Sequence, residues 1–198
     1  MKRRLIILFL VALLSTYIGA ASAIGAPNAL GYKVNLSPGT GYVNTKVVVS
    51  INQFPANKSV KVTFDGVWVC SLTTIADGTG SCYFKVPATD MGLHYVRAIG
   101  GGMNEFRFFN VDPRVKLTPN YGPRGTTMDV SLRGFGYHVT VTVKWYNAYQ
   151  KVTIKTLITS STGSANFYFK VPSNAMVGPY KVHAKQFNWA TAATFTVT

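Results

Sequence analysis

Carboxylates are scarce in this chain. Its 198 residues hold six Asp and Glu against twenty Lys and Arg, and no two of the six lie within three positions of each other. Hydrolysis by general acid and base needs two placed carboxylates or an equivalent pair, so that chemistry has little to draw on. Histidine is scarce as well: His94, His138 and His183 share no ligand spacing such as His-x-x-x-His. The two cysteines look paired to each other, which leaves no N and S set for a zinc site. No Gly-x-Ser-x-Gly elbow and no phosphate loop occur, and Gly100-Gly101-Gly102 reads as a hairpin tip rather than a loop opening a helix. The chain is therefore expected to be non-enzymatic, with no catalytic residue, cofactor or metal. Beyond the N-terminus no stretch is apolar enough to span a bilayer, so the mature chain is expected to lack a transmembrane segment.

The N-terminus itself is a different matter. Met1-Lys2-Arg3-Arg4 is a basic start, Leu5 to Leu14 is an unbroken apolar run, and Ala21-Ser22-Ala23 has the small-x-small form that a signal peptidase accepts. Residues 1–23 read as a signal peptide and 24–32 as a short leader, which implies a secreted, extracellular protein. Uncleaved, the uncharged stretch Leu5 to Ala23 is just long enough to act as an anchor. Removing Lys2, Arg3 and Arg4 takes the net charge from +14 to +11. The remainder is uneven, at +3 over residues 24–111 and +8 over residues 112–198. A basic surface favours an anionic cell-envelope or glycan partner. The cations are scattered, with no run longer than two, and specific nucleic-acid recognition is not expected.

Cys70 and Cys82 flank a midpoint at Ala76, beside the turn signal Asp77-Gly78. Two strands folding back around that turn would bring the sulfurs opposite each other, and in an exported protein a disulfide is the natural outcome. Closing a loop of about a dozen residues stabilises by roughly 3 kcal/mol in the chain-entropy model.

One tetrapeptide occurs twice. Phe84-Lys85-Val86-Pro87 returns as Phe169-Lys170-Val171-Pro172, preceded by Gly78-Thr79-Gly80-Ser81 in one copy and Ser161-Thr162-Gly163-Ser164 in the other. The rest of the chain repeats with it. Val34-Asn35-Leu36-Ser37-Pro38 matches Val115-Lys116-Leu117-Thr118-Pro119, and Val60, Val62 and Phe64 match Val141, Val143 and Trp145. Alternation with a period of two runs through these segments, as strands require. Asp65-Gly66 supplies a hairpin turn. Each copy has about seven short strands with turn signals between them, the sequence form of an immunoglobulin-like sandwich. The expected fold is all-β, with two tandem immunoglobulin-like β-sandwich domains after the signal peptide, domain 1 at 33–111 and domain 2 at 112–198. The short joint Asp112-Pro113-Arg114 should be semi-rigid.

These segments, together with Gly178-Pro179-Tyr180-Lys181-Val182-His183-Ala184, resemble the IPT/TIG and related Ig-like repeats of prokaryotic secreted or cell-surface proteins, over about Lys33 to Thr198. The first copy departs from the pattern at His94, where a Tyr is usual, and in its cysteine pair. The resemblance implies a scaffold, in proteins that are typically surface-layer, adhesion or appendage components or accessory modules of secreted enzymes. Three functions follow as expectations. One is a structural or adhesive protein at the cell surface. A second is a filament subunit that self-assembles by donating Ile24 to Leu36 as a strand to an open sheet edge of a neighbour. A third is a polysaccharide-binding module, with Trp68, Tyr149 and Trp189 as exposed rings; the same rings would otherwise cap the sandwich ends. Trp68 and Tyr149 read as equivalent positions just after the two hairpin turns, and Trp145 as core. Asn57-Lys58-Ser59 is a usable glycosylation sequon in a turn.

Overall fold

The computed structural model describes residues 33–198. The expected signal peptide (1–23) and leader (24–32), and most of the candidate donor segment, lie outside the described residues. The described chain is all-β and forms two sandwiches. In the first, β1 (Val34–Ser37), β3 (Lys46–Ile51) and β6 (Gly80–Lys85) make a sheet in the order β1-β3-β6. Opposite it stand β2 (Thr40–Gly41), β8 (Met103–Val111), β7 (Gly92–Gly100), β4 (Ser59–Phe64) and β5 (Val67–Thr73), in the order β2-β8-β7-β4-β5. All pairs are antiparallel except β2 with β8.

The second sandwich repeats this wiring. Its sheets are β14 (Ala165–Lys170), β11 (Thr127–Arg133) and β9 (Arg114–Thr118), facing β10 (Tyr121–Gly122), β16 (Trp189–Val197), β15 (Gly178–Gln186), β12 (Thr140–Tyr146) and β13 (Lys151–Ile158). Three strands against four, with a short leading strand parallel to the last, is an immunoglobulin-type arrangement. Strand alternation builds the cores. Val47, Val49 and Ile51 meet Val60, Val62 and Phe64 in the first, and Met128, Val130 and Leu132 meet Val141, Val143 and Trp145 in the second.

Two aromatic pairs mark the same place in each core. Trp145 stacks on Tyr180 at 4.4 Å and 13°, and Phe64 stacks on His94 at 5.1 Å and 19°. The departure at His94 is therefore a substitution within a stacked pair. The polar tips also reach the same loop position. The Tyr180 hydroxyl accepts from the Met176 backbone N–H, whereas His94 Nε2 meets the Asp90 carbonyl at 3.0 Å and Nδ1 meets Asp65 Oδ2 at 2.6 Å.

The disulfide between Cys70 and Cys82 is present, but its setting differs from the sequence reading. β5 and β6 do not form a hairpin. β5 is the edge of the five-stranded sheet and β6 the edge of the three-stranded one. The bond therefore joins the two sheets across one open side of the sandwich. The turn at Asp77-Gly78 carries the chain from one layer to the other, a distinction that spacing alone cannot make. The repeat register near this turn also needs correcting. Phe54 N–H bonds to the Gly78 carbonyl, and Phe135 N–H to the Gly163 carbonyl, so Gly78 corresponds to Gly163 and Gly80 to Ala165.

Two buried threonines close the same turn in each copy. Thr74 Oγ1 donates to the Pro55 carbonyl at 2.6 Å and accepts from Lys58 N–H at 2.9 Å. Thr159 Oγ1 donates to the Gly136 carbonyl at 2.6 Å and accepts from Val139 N–H at 3.0 Å. Thr159→Val keeps the shape and orphans two part-buried backbone groups. It should cost about 1–3 kcal/mol, read by urea denaturation against the parent. A loss within error would mean that water replaces the hydroxyl.

The two sandwiches fall within one compact unit. At the joint, Asp112 N–H bonds to the Gly41 carbonyl, and Asp112 Oδ2 accepts from Thr40 Oγ1 at 2.8 Å. The Arg114 guanidinium lies 5.4 Å from the centre of the Tyr42 ring. Met91 N–H bonds to the Phe135 carbonyl, which ties the loop before β7 to the second sandwich.

Candidate functional site: a cationic sheet face

The outward face of the second five-stranded sheet holds a cleft of about 590 Å³, lined by Thr140, Thr142, Lys144, Lys151, His183, Lys185, Phe187, Asn188 and Ala190. The positions follow from pleating. On β12, Val141, Val143 and Trp145 point inward, which sends Thr140, Thr142 and Lys144 out. On β15, Tyr180, Val182 and Ala184 point inward, which sends Lys181, His183 and Lys185 out. The β12–β15 register then sets Lys144 opposite His183 and Thr142 opposite Lys185. Tyr146 faces Lys181 on one side and Lys151 on the other.

No acid offsets these cations. From Val130 to Thr198 the chain contains no Asp or Glu. Lys181 Nζ donates to Thr194 Oγ1 at 2.8 Å, and Lys151 Nζ lies 5.8 Å from the Tyr146 ring centre. The field is felt by His183. Partial burial, then the Lys151, Lys144 and Lys185 ammonium groups, hold its imidazole below the usual histidine range. By linkage this group opposes folding as pH falls, because the folded state binds fewer protons than the unfolded chain.

The same face of the first sandwich carries different chemistry. The positions of Lys181, His183 and Lys185 are taken by Tyr95, Arg97 and Ile99, and those of Ala192 and Thr194 by Phe106 and Phe108. Tyr95, Phe106 and Phe108 pack on one another at centroid distances of 4.8–5.6 Å with interplanar angles of 46–84°. This is a herringbone cluster rather than a flat platform. The sequence reading passed over it, although the alternation of β7 against buried His94, Val96 and Ala98 marks Tyr95 as outward.

The rings singled out from sequence are exposed: Trp68 at 59%, Tyr149 at 85% and Trp189 at 57%. They do not converge. Trp68 lies on β5 opposite Thr63 and donates through Nε1 to Ser71 Oγ at 3.0 Å. Tyr149 is not its counterpart. It sits in the loop between β12 and β13, while the register place of Trp68 belongs to Thr153. The loop of four residues there, against Asp65-Gly66 in the first copy, displaces the ring from the strand. Trp189 opens β16 opposite Gln186, next to the Phe187-Asn188 turn at one end of the cleft. Asn57 is exposed in a turn with φ 55°. Trp145 is core, at 1% exposure. Among the described residues no group of three His, Cys, Asp or Glu is placed to hold a metal, and no helix is long and apolar enough to cross a membrane.

No protein-family model matches the chain, and no curated protein matches it. Among solved structures it is similar to the D0-D1 domain of intimin, at 13% identity over 83% of this chain and 96% of that one, with a TM-score of 0.32. It is also similar to a tetra-tandem repeat in the extending region of a large adhesion protein, at 16% identity over 79% of this chain and 46% of that one, TM-score 0.34. The titin Ig tandem domains A164-A165 match at 15% identity over 80% of this chain and 90% of that one, TM-score 0.29. These figures assign no role to any residue. The sheet order of the chain itself defines its class: two tandem immunoglobulin-like β-sandwiches.

Proposed function

We propose that this protein is an exported, non-enzymatic structural or adhesive element of the cell surface, with its second sandwich turned toward an anionic layer. The observation that carries the reading is the contrast between two copies of one scaffold. Most of their core positions correspond, yet the outward faces of the equivalent sheets differ, aromatic in one and cationic without any carboxylate in the other. Core positions answer to packing, while outward positions are free to answer to a partner. The finer resemblance to IPT/TIG repeats of secreted and surface proteins, and the N-terminal export signal, fit the same reading.

The test is co-sedimentation with isolated cell envelope across a salt series. Retention at low salt and release by about 0.5 M, where charges are screened beyond a few ångströms, is the expected result. No retention, or retention indifferent to salt, would remove the anionic layer from the account.

The filament and glycan-stacking alternatives remain proposals with less support. Within the candidate donor stretch, Val34, Asn35 and Leu36 are already paired with β3 of their own sandwich. None of the three candidate rings lines the cationic cleft, although Trp189 lies in sequence between Asn188 and Ala190, which do.

A further inference from the structure

We infer that the cleft on β12 and β15 is a binding site for a linear acidic polysaccharide, with Lys144 and Lys185 as its principal charge contacts. The inference rests on the surface reading above and gives it a site and a ligand class.

Charge complementarity sets the sign of the ligand. Lys144, Lys151 and Lys185 converge on one cleft without a single carboxylate in the surrounding strands. Among the described residues the Lys33–Glu105 ion pair and the His94–Asp65 contact lie elsewhere. Like charges gathered on one sheet face repel each other, and the Lys151, Lys144 and Lys185 ammonium groups add to partial burial, the larger cause, in holding the His183 imidazole below the usual histidine range. An anion seated there removes the penalty.

The strand lattice favours a chain over a small ion. Lys181, His183 and Lys185 alternate along β15, so successive positions stand about 6.8 Å apart. Lys144 lies beside this row on β12, opposite His183. A polymer with repeated negative groups can meet several of these positions at once. A single phosphate or sulfate meets few.

The rest of the lining favours a sugar backbone. Thr140, Thr142 and Asn188 offer hydroxyl and amide groups between the cations, suited to sugar hydroxyls. Single-stranded nucleic acid would call for a succession of stacking rings, and the cleft offers only Phe187 and the imidazole of His183. The aromatic cluster lies on the other sandwich.

The test is titration of the full-length protein by calorimetry with size-defined oligogalacturonides, which are carboxylated, and heparin-derived oligosaccharides, which are sulfated. Neutral dextran, a single-stranded DNA oligonucleotide and phosphatidylglycerol vesicles serve as comparisons. Binding of at least one acidic glycan series is expected, with affinity rising with oligomer length and falling with salt. The preferred series tells carboxylate from sulfate. The double variant Lys144→Gln with Lys185→Gln should lose at least tenfold in affinity, with its melting curve unchanged. A charge-matched pair on the first sandwich, Lys61→Gln with Lys85→Gln, should stay within twofold of the parent. In NMR titrations the apparent pKa of His183 should rise when the glycan saturates the protein.

Equal losses in the two double variants would overturn the site, because the effect would then be net charge alone. DNA or vesicles binding as tightly as the glycans would overturn the ligand class. A His183 titration untouched by saturating glycan would also overturn the site. Glycan binding at this cleft without envelope retention would support the site and refute the envelope reading. Envelope retention without glycan binding would do the reverse.

Discussion

Replacing Trp145 by Ala should cost the second sandwich about 3–5 kcal/mol, the range for truncating a large buried aromatic. Among the described residues Trp145 is the largest fully buried side chain. It stacks on Tyr180 and packs within 5.3 Å of Phe169 and 5.8 Å of Phe195, measured between ring centres. Removing it leaves a cavity between both sheets, which the strand ladders prevent from collapsing. A milder substitution separates packing from polarity. The indole Nε1 is buried without a hydrogen-bond partner, a desolvated donor that Trp145→Phe removes. Phe64 fills the equivalent place in the first copy, so Trp145→Phe should lose only about 1–2 kcal/mol, part of the lost volume being offset by the absent orphan donor. Urea denaturation followed by circular dichroism reads both. Equal losses for Phe and Ala would show that the ring's volume is not what matters there.

Gly163→Ala should be nearly as damaging, at about 3 kcal/mol or more, although the position lies in a loop. Two physical terms add. Gly163 has φ +60°, a left-handed conformation that L side chains resist. A Cβ there would also stand 1.8 Å from the Phe135 carbonyl oxygen, with Asp90 Cα 3.0 Å away on the neighbouring sandwich. Backbone atoms on both sides cannot swing aside as a flexible side chain can. Gly78 occupies the same place in the first copy, with its would-be Cβ 2.1 Å from the Phe54 carbonyl oxygen. Gly39 is the control. It has open space around it, and Gly39→Ala should change stability by less than about 0.5 kcal/mol. A Gly163→Ala variant as stable as Gly39→Ala would mean that the loop can leave its seat on Phe135 without loss. Thermal denaturation of the two variants decides it.

The glycine pair shows how a repeat can be visible while its cause is not. The sequence displays a Gly-Ser element before each Phe-Lys-Val-Pro, but matching by residue type sets it two positions out of register. Backbone hydrogen bonds from Phe54 and Phe135 establish the correspondence, and those partners lie far along the chain. Thr74 and Thr159 are a similar case. In sequence they are ordinary loop threonines. Only the return of the chain past Pro55 and Gly136 buries them and gives each hydroxyl both a donor and an acceptor.

By itself the sequence determined the strand pattern, because pleating forces a period of two and the Val, Ile and Phe rows obey it. It determined the two-copy architecture, because both cores repeat. It also determined which residues of β12 and β15 face outward, since Trp145 and Val182 fix the phase of their strands. It did not determine which strands are neighbours. Cys70 and Cys82 read as partners across a hairpin, and they join opposite sheets. Lys144 and His183 lie 39 residues apart in the chain and meet only because β12 pairs with β15. Alternation is a local consequence of backbone geometry, so it can be read from a few residues. The cationic cleft and the edge-to-edge disulfide arise from long-range pairing and layer assignment, and those are set when the whole sandwich closes around its core.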